Sequence, residues 1–428
     1  MMSTFDQLNE RGFCYQTTDE TVIRERLDST PVTFYIGFDP TADSLHIGSL
    51  LPIMAMRLLQ KCGHRPIVVL GGGTAMVGDP SGKTDVRKML TREAIAANGL
   101  AIKEQFARYI EFGDDKAVFI DNAEWLLDLK YIDFLRDIGR HFSVNRMLAT
   151  ESVKSRLETG LSFLEFNYSL LQAYDFYVLA RDYDCEFQMG GQDQWGNIVA
   201  GVDLVRRLLS RTVYGATFPL LLDSAGNKFG KTVAGAVWLD KKRTSVFDYY
   251  QFWRNVDDAD VGRLLAFVTD LPMDEVTRLA ALTDTNINRT KEILAFETAA
   301  LAHGTDEAAR AFIAAGRQFG FADPNGTIPT SSAVANVDIA DGDDNLPTCE
   351  VAHAGVENGL WIVRLLVSTG LEKSNSAARR LVQGGGAYIN DEKVTDVDRE
   401  IVPADFTDGW LLLRSGRKNI RRIILKNG

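Results

Sequence analysis

The stretch Tyr35-Ile-Gly-Phe-Asp39-Pro-Thr41-Ala-Asp-Ser-Leu-His46-Ile-Gly48-Ser49 restricts the fold more than any other part of the chain. Residues 32–36 form a short apolar run of β-branched and aromatic side chains, which predicts a buried strand. Gly37, Pro40 and Asp43 then turn the chain, and from Ser44 the apolar residues recur at helical spacing through Leu59. On this spacing His46 falls in the first turn of a helix that follows a strand, where unpaired backbone N–H groups attract anions. Gly48 leaves a bare patch of helix against which a flat ring can lie. Two readings stand side by side: a nucleotide site at the carboxyl end of a strand, or close packing at Gly48 with His46 as an N-terminal hydrogen-bonding residue.

A chain of 428 residues has room for two or three domains, each with its own core. No run of eighteen apolar residues exists, so no membrane partner is expected. The opening MMSTFDQLNERG has acids and no apolar core, so it does not read as a secretory signal. Cys14, Cys62, Cys185 and Cys349 are far apart and make no CxxC pair, which fits a reducing, cytoplasmic compartment and indicates neither a zinc site nor a disulfide scaffold. A net charge of −11 argues against non-specific coating of DNA or RNA. Its distribution is uneven: residues 414–428 hold six bases and no acid. A basic tail on an acidic body suggests one polyanion-binding face.

Along the chain, residues 1–30 read as amphipathic helix and 65–70 as a second strand, with the helical stretch 91–110 leading to a third strand at 117–120. Strand–helix–strand at this spacing is the mark of a parallel α/β sheet. Residues 124–184 are mostly helical and interrupt the alternation as an insertion does. Strands follow at 185–189 and 218–222, separated by a helix at 197–209. From 245 to about 318 the pattern is helical throughout. Residues 321–350 contain six acids, no base and three prolines, and read as a linker. The expected organisation is a catalytic α/β domain at 1–240 with a helical insertion at about 124–184, an all-helical domain at 241–320, a linker at 321–350, and a small α+β module at 351–428.

Two GKT triplets invite comparison with a phosphate-binding P-loop, which needs a glycine five positions earlier. Val77 and Ala225 occupy those positions, so both fail. Gly71 and Gly73 lack the third glycine of a dinucleotide fingerprint, because Met76 stands there. A phosphate role for the lysines survives: Lys228 and Lys231 flank Gly230 after a strand, and Lys83 and Arg87 follow another turn. The alternative is that all four are solvated surface groups. Tyr168, Gln172 and Asp175 fall at i, i+4 and i+7 of one helix, so they project from one side among apolar neighbours. A carboxylate on such a face is either paired in an internal network or functional. His64, His141, His303 and His353 show no metal-ligand spacing.

These residues resemble one family. His46-Ile-Gly48-Ser49 is similar to the HIGH motif of class I aminoacyl-tRNA synthetases, and Lys228-Phe-Gly-Lys231-Thr232 to their KMSKS loop. The segment from Tyr35 to Thr41, Val77-Gly-Asp79-Pro-Ser-Gly-Lys83, residues 134–145, residues 168–175 and Gly190-Gly191-Gln-Asp193-Gln194-Trp-Gly-Asn197 resemble bacterial tyrosyl-tRNA synthetases specifically. Residues 371–390 resemble an RNA-binding domain first seen in a small-ribosomal-subunit protein. Six motifs in order, with about 180 residues between HIGS and KFGKT, carry the likeness. The fold it implies is a Rossmann-like parallel-sheet catalytic domain with a helical insertion, an all-helical domain and a small α+β RNA-binding domain.

The resemblance also implies roles. Tyr35 and Asp175 meet the phenolic oxygen of L-tyrosine, while Asp79, Tyr168 and Gln172 hold its ammonium group. Asp39, Asp193 and Gln194 address the ribose and the amino-acid carboxylate. Thr41 and His46 lie by the ATP phosphates, with Gly48 under the adenine and Gly37, Ser49 and Gly191 completing the nucleotide site. Lys83, Arg87, Lys228, Lys231 and Thr232 gather the β- and γ-phosphates, helped by substrate-associated Mg²⁺. Lys373, Arg379, Arg380, Arg417 and Lys418 contact tRNA(Tyr). The aromatic residues near 136–142 resemble a subunit contact, so a homodimer is expected. A class I synthetase for tryptophan and a non-catalytic RNA-binding protein on the same scaffold are the rival readings. Phenol-suited Tyr35 and Asp175 disfavour the first, and the full set of phosphate and carboxylate residues disfavours the second.

Ser49 departs from the family pattern, standing where the second histidine of HIGH is found. A hydroxyl donates a hydrogen bond to a phosphate or ribose oxygen but carries no positive charge. Ser49→His is therefore expected to alter the ATP dependence of pyrophosphate exchange, and unchanged kinetics would show that position 49 contributes nothing.

Overall fold

The apolar runs at residues 33–38 and 65–70 lie side by side as parallel strands, and the first unit is built outward from them. In the computed structural model, which describes residues 2–80, 90–157, 160–224, 226, 229–232, 235–339, 346–407, 409–416 and 419–426, the chain divides into two units. Unit one comprises Met1–Arg243 and Asp257–Thr283, and unit two Thr244–Val256 and Asp284–Gly428.

Unit one holds a six-stranded sheet of β1 (Gln16–Thr17), β2 (Thr33–Phe38), β3 (Arg65–Leu70), β4 (Val118–Asp121), β5 (Phe187–Gly191) and β6 (Tyr214–Phe218). Its order is β1-β6-β5-β2-β3-β4, with only β1 antiparallel to its neighbour. In β3 every residue after Arg65 is buried, as an inner strand covered on both faces requires. The chain runs outward from β2 through β3 to β4, then returns to the other side of β2 with β5 and β6. Strand order therefore reverses between β2 and β5, where a crevice opens at the carboxyl ends of the strands. The helical insertion fills the long connection from β4 to β5. Its last helix, Tyr168–Asp182, packs Phe176 and Leu179 against the sheet core around Tyr35 and Ile67, and Ala173 against Ile138 and Leu204.

Three expectations need correction. The helix after β2 starts at Leu50, preceded by a 3-10 turn at Ile47–Ser49, so His46 caps that turn from extended backbone instead of lying within a helix. Its own ring satisfies the Gly48 N–H, which lets the regular helix begin later. The strand expected at 218–222 lies at Tyr214–Phe218, because parallel pairing of Phe187 with Tyr214 through Gly191 with Phe218 fixes the register, and the apolar Leu220–Leu222 run beyond it was misleading. Helices Asp258–Val268 and Met273–Ala280 belong to unit one, not to a single helical domain at 241–320. Arg11 donates to the carbonyls of Ala266, Thr269 and Leu271 at 2.9, 3.0 and 2.6 Å, pairing groups a helix end leaves open. Periodicity announces a helix but not the core it joins.

Unit two packs helices Val246–Arg254, Ile287–His303 and Thr305–Phe319 around buried Tyr250, Trp253, Phe296 and Ala314. The segment read as a linker is anchored at both ends. Asp323 accepts from the Thr327 and Ile328 N–H groups and faces buried Arg289, and Ser332 donates to Glu297 at 2.5 Å. Thr348–Ala352 already forms the edge of a five-stranded sheet, parallel to Asn419–Lys426. From that strand the order continues through Trp410–Ser415 and Ala387–Ile389 to Glu392–Val394, all antiparallel. Helices Ile362–Ser368 and Asn375–Gln383 close its core with Leu365, Leu366, Ala378 and Val382. Arg421 ties this sheet to the helical part by donating to both oxygens of Asp248 at 3.1 and 3.0 Å. Among the described residues no helix is long and apolar enough to cross a membrane.

His64 gives the fold a pH dependence. Its Nδ1 accepts the Val32 N–H at 3.1 Å just before β2, and burial lowers its pKa below the usual 6.5. A depressed histidine contributes stability above its unfolded pKa and loses it as pH falls through the folded value. His64→Leu, which leaves the Val32 N–H unpaired, is expected to cost about 1–3 kcal/mol near neutral pH. The difference between the two proteins in thermal midpoint should shrink as the pH is lowered below 6.5, and a constant difference would exclude the histidine as its source.

Candidate active site

The crevice between β2 and β5 is a cavity of about 290 Å³. β2 supplies Tyr35 and Gly37 and, just after it, Asp39. β5 supplies Gln188 through Gly191, with Gln194 one turn later. The helix Tyr168–Asp182 adds Tyr168, Gln172 and Asp175, and the turn after β3 adds Thr74 and Asp79. The i, i+4, i+7 spacing thus brings its three polar side chains to one wall. Gly48 and Ser49 line the opposite end.

Asp175 lies at the deep end, 4% exposed. Its two oxygens accept from Asn122 Nδ2 at 2.9 Å and Trp125 Nε1 at 2.8 Å. Burial outweighs these donors and pushes the Asp175 carboxyl up from 3.8 to about 7. Tyr35, 1% exposed, stands beside it, and its hydroxyl has no hydrogen-bond partner among the described residues. Burial, with Asp175 nearby, raises the Tyr35 pKa well above 10, so the phenol keeps its proton. Gln188, paired in register with Tyr35 across β2 and β5, likewise leaves Oε1 unmatched. Buried polar groups are nearly always paired, so the deep end is built for a polar ligand group.

Hydrogen bonds run from there along the cleft. Asn122 Nδ2 also donates to Thr74 Oγ1 at 3.1 Å, and Thr74 donates to Asp39 Oδ1 at 2.9 Å. Tyr168 donates to the other Asp39 oxygen at 3.4 Å, and burial raises its pKa well above 10. On the facing wall Gln194 Nε2 donates to Asp79 Oδ2 at 2.6 Å, and Asn197 Nδ2 donates to Gln172 and Gln194 at 3.2 and 3.0 Å. Asp39, Asp79 and Asp175 thus gather acidic groups around one chamber, suited to a cationic ligand group.

At the open end, Gly191 abuts the Asp193 carboxylate: a Cβ there would lie 2.5 Å from Oδ1. Thr41 and His46 are exposed at the rim, outside the cavity lining. His46 Nδ1 accepts the Gly48 N–H at 3.1 Å, and a Cβ on Gly48 would meet the His46 ring at 2.9 Å. Gly230, at φ +87°, fits against Ile47 so closely that a Cβ would come within 2.5 Å of it. The two motifs far apart in sequence therefore touch. Lys83, Arg87, Lys228, Arg417 and Lys418 lie outside the described residues, and Lys231 and Thr232 are described only as backbone, paired with Gly235–Ala236. Lys373, Arg379 and Arg380 are exposed in unit two, with Arg379 stacked 4.8 Å over the Trp361 ring.

Asn122, Trp125, Thr74 and Gln188 escaped the sequence reading, and Asn197 entered it only as the last residue of a motif, with no role. Only Gln188 and Asn197 had a visible signal, as polar residues flanking or entering an apolar strand–helix junction.

Comparison with known proteins adds the following. The family model described as tRNA synthetases class I (W and Y) matches residues 27–320, and that of the tyrosine–tRNA ligase SYY-like C-terminal domain matches residues 338–423. The chain is 51% identical over 424 residues to a tyrosine–tRNA ligase of Clostridium tetani, covering 99% of each. It is 50% identical to that of Acetivibrio thermocellus, covering 99% of this chain and 100% of that one. A C-terminally truncated mitochondrial tyrosyl-tRNA synthetase of Aspergillus nidulans superposes with a TM-score of 0.67 at 30% identity, over 74% of this chain and 95% of that chain.

The Trp125 indole lowers the Asp175 pKa against burial. Trp125→Phe is expected to move the carboxyl's titration above its present value of about 7, read by carbon-13 NMR of the aspartate side chains. An unmoved titration would mean the indole N–H does not stabilise the charged form.

Proposed function

Since the chain belongs to the class I tRNA synthetases, within the tyrosine–tRNA ligases, we propose a division of labour among its cleft residues for the activation of L-tyrosine by ATP and its transfer to tRNA. Tyr35 and Asp175 receive the phenolic hydroxyl. Asp79, Tyr168 and Gln172 hold the ammonium group. Asp39, Asp193 and Gln194 take the ribose and the amino-acid carboxylate, with Gly37, Gly48, Ser49 and Gly191 against the nucleotide. The observation that carries this assignment is the unmatched Tyr35 hydroxyl beside the buried Asp175 carboxyl. That pair asks for a ligand group that both donates and accepts, which a phenol is and a phenyl ring or an indole N–H is not.

The reaction is in-line attack of the tyrosine carboxylate on the α-phosphate, which releases pyrophosphate and leaves tyrosyl-adenylate; a hydroxyl of the tRNA 3′-terminal ribose then attacks the tyrosyl carbonyl, and AMP leaves. A carboxylate is already a competent nucleophile, so no general base is needed. Rate comes from orientation and from positive charge placed where the transition state gathers negative charge. Thr41, His46, Lys83, Arg87, Lys228, Lys231 and Thr232 are assigned to that charge, and the contact of Gly230 with Ile47 supports joint action of the two motifs. Mg²⁺ enters with ATP as part of the substrate.

Lys373, Arg379, Arg380, Arg417 and Lys418 are assigned to tRNA phosphates, supported by exposure of the first three. The protein acts as a cytoplasmic homodimer. Support for two copies comes from exposed Tyr131, Ile132, Val144, Phe163 and Leu164 along the helical insertion, more apolar surface than a solvated face ordinarily carries. The rivals, a tryptophan synthetase or a non-catalytic RNA-binding protein, gain no support from the relatives.

ATP–pyrophosphate exchange is expected with tyrosine and not with tryptophan or phenylalanine. Below a pH of about 7 the Asp175 carboxyl gains a proton and offers one acceptor fewer, so kcat/KM for tyrosine should fall as pH drops through that value. Asp175→Asn should remove this pH limb and narrow the preference for tyrosine over phenylalanine. Exchange driven equally well by phenylalanine in the unmodified protein would sink the assignment.

A further inference from the structure

Behind the cleft wall, Asn197 occupies the first turn of the helix Trp195–Leu209, 7% exposed, and does not itself line the cleft. It faces instead a second, more apolar cavity of about 280 Å³ with Phe142, Met147, Trp195 and Leu204. We propose that Asn197 is a positioning residue that dictates which end of the Gln172 amide is offered to the substrate's ammonium group. This rests on the assignment of Gln172 to that group.

The polarity of the hydrogen-bond chain follows from its terminus. An ionised carboxylate only accepts, so Gln194 must turn its NH₂ toward Asp79, as it does at 2.6 Å. The Gln194 oxygen then points the other way and needs a donor, which Asn197 Nδ2 supplies at 3.0 Å. The second hydrogen of the same NH₂ goes to Gln172 Oε1 at 3.2 Å. Each amide thus fixes the next, from Asp79 through Gln194 and Asn197 to Gln172. Turning the Asn197 amide over would set its oxygen against two other oxygens, which low-dielectric burial makes costly. The Gln172 oxygen keeps a second lone pair after accepting from Asn197, and an ammonium N–H is the donor that lone pair suits. Without Asn197 the Gln172 amide is free to present its NH₂, which repels a cation.

The test uses three ligands on the full chain: tyrosine; tyrosinol, which keeps the ammonium and lacks the carboxylate; and 3-(4-hydroxyphenyl)propanoate, which keeps the carboxylate and lacks the ammonium. Asn197→Leu is close in shape, carries no donor and borders an apolar cavity. Asn197→Ala is the second variant if the leucine does not fold. The expected result is weakening by about tenfold for tyrosine and tyrosinol, the size of one hydrogen bond to a charged group. Binding of the propanoate and KM for ATP should stay within about twofold on the same reasoning. Equal weakening of all three ligands, or of none, would overturn the proposal, because a merely structural role has no means of sensing the ammonium. Failure of the unmodified protein to bind tyrosine and tyrosinol would instead overturn the assignment of the cleft, and this proposal with it.

Discussion

Taking a carboxylate out of water beside a phenol is the constraint on which unit one is organised. Burying Asp175 raises its pKa to about 7, so the folded chain holds it near the point of neutralisation. Asn122 and Trp125 lower that penalty without removing it. The hydroxyl of Tyr35 remains unmatched next to it. A buried polar group left unpaired costs about 1–3 kcal/mol, a cost that a ligand group able to donate and accept there offsets.

The sheet makes this arrangement possible. Tyr35 and Gln188 are neighbours across β2 and β5, although they are far apart in the chain, because strand order reverses between those strands. The helical insertion then lays Asp175, Gln172 and Tyr168 over the crevice from one side. The polar groups within it are chained: Asn122 donates to Asp175 and to Thr74, and Thr74 to Asp39. Asp175 and Asp39 therefore share one directional network, in which a ligand at either carboxylate bears on the orientation of the same amide. Gly230 lies against Ile47 so that a Cβ could not fit, which seats the second motif against the first.

Much of this was legible from residue spacing. A period of 3.6 put Tyr168, Gln172 and Asp175 on one face, and the apolar run at 65–70 announced an inner strand. What spacing does not carry is partnership across the fold. Asn122 and Trp125 sit just past β4 in an unremarkable polar segment, and only the packing of the helix Tyr168–Asp182 against it makes them the donors for Asp175. His46 was placed a turn too deep because its ring substitutes for a helical hydrogen bond, an effect invisible to periodicity. The strand at Tyr214–Phe218 was misplaced because register belongs to the pairing with β5 and not to local hydrophobicity. The end of helix Asp258–Val268 and the turn that follows it meet Arg11 of unit one, a residue more than two hundred positions away.

The most direct measurement is a crystal structure with tyrosine and a non-hydrolysable ATP analogue bound. The ligand hydroxyl is expected within hydrogen-bonding reach, about 2.5–3.0 Å between oxygens, of both the Asp175 carboxylate and the Tyr35 phenol. A hydroxyl more than about 3.5 Å from Asp175, or a tyrosine ring turned toward the Gly48 end, would contradict the assignment of this cleft.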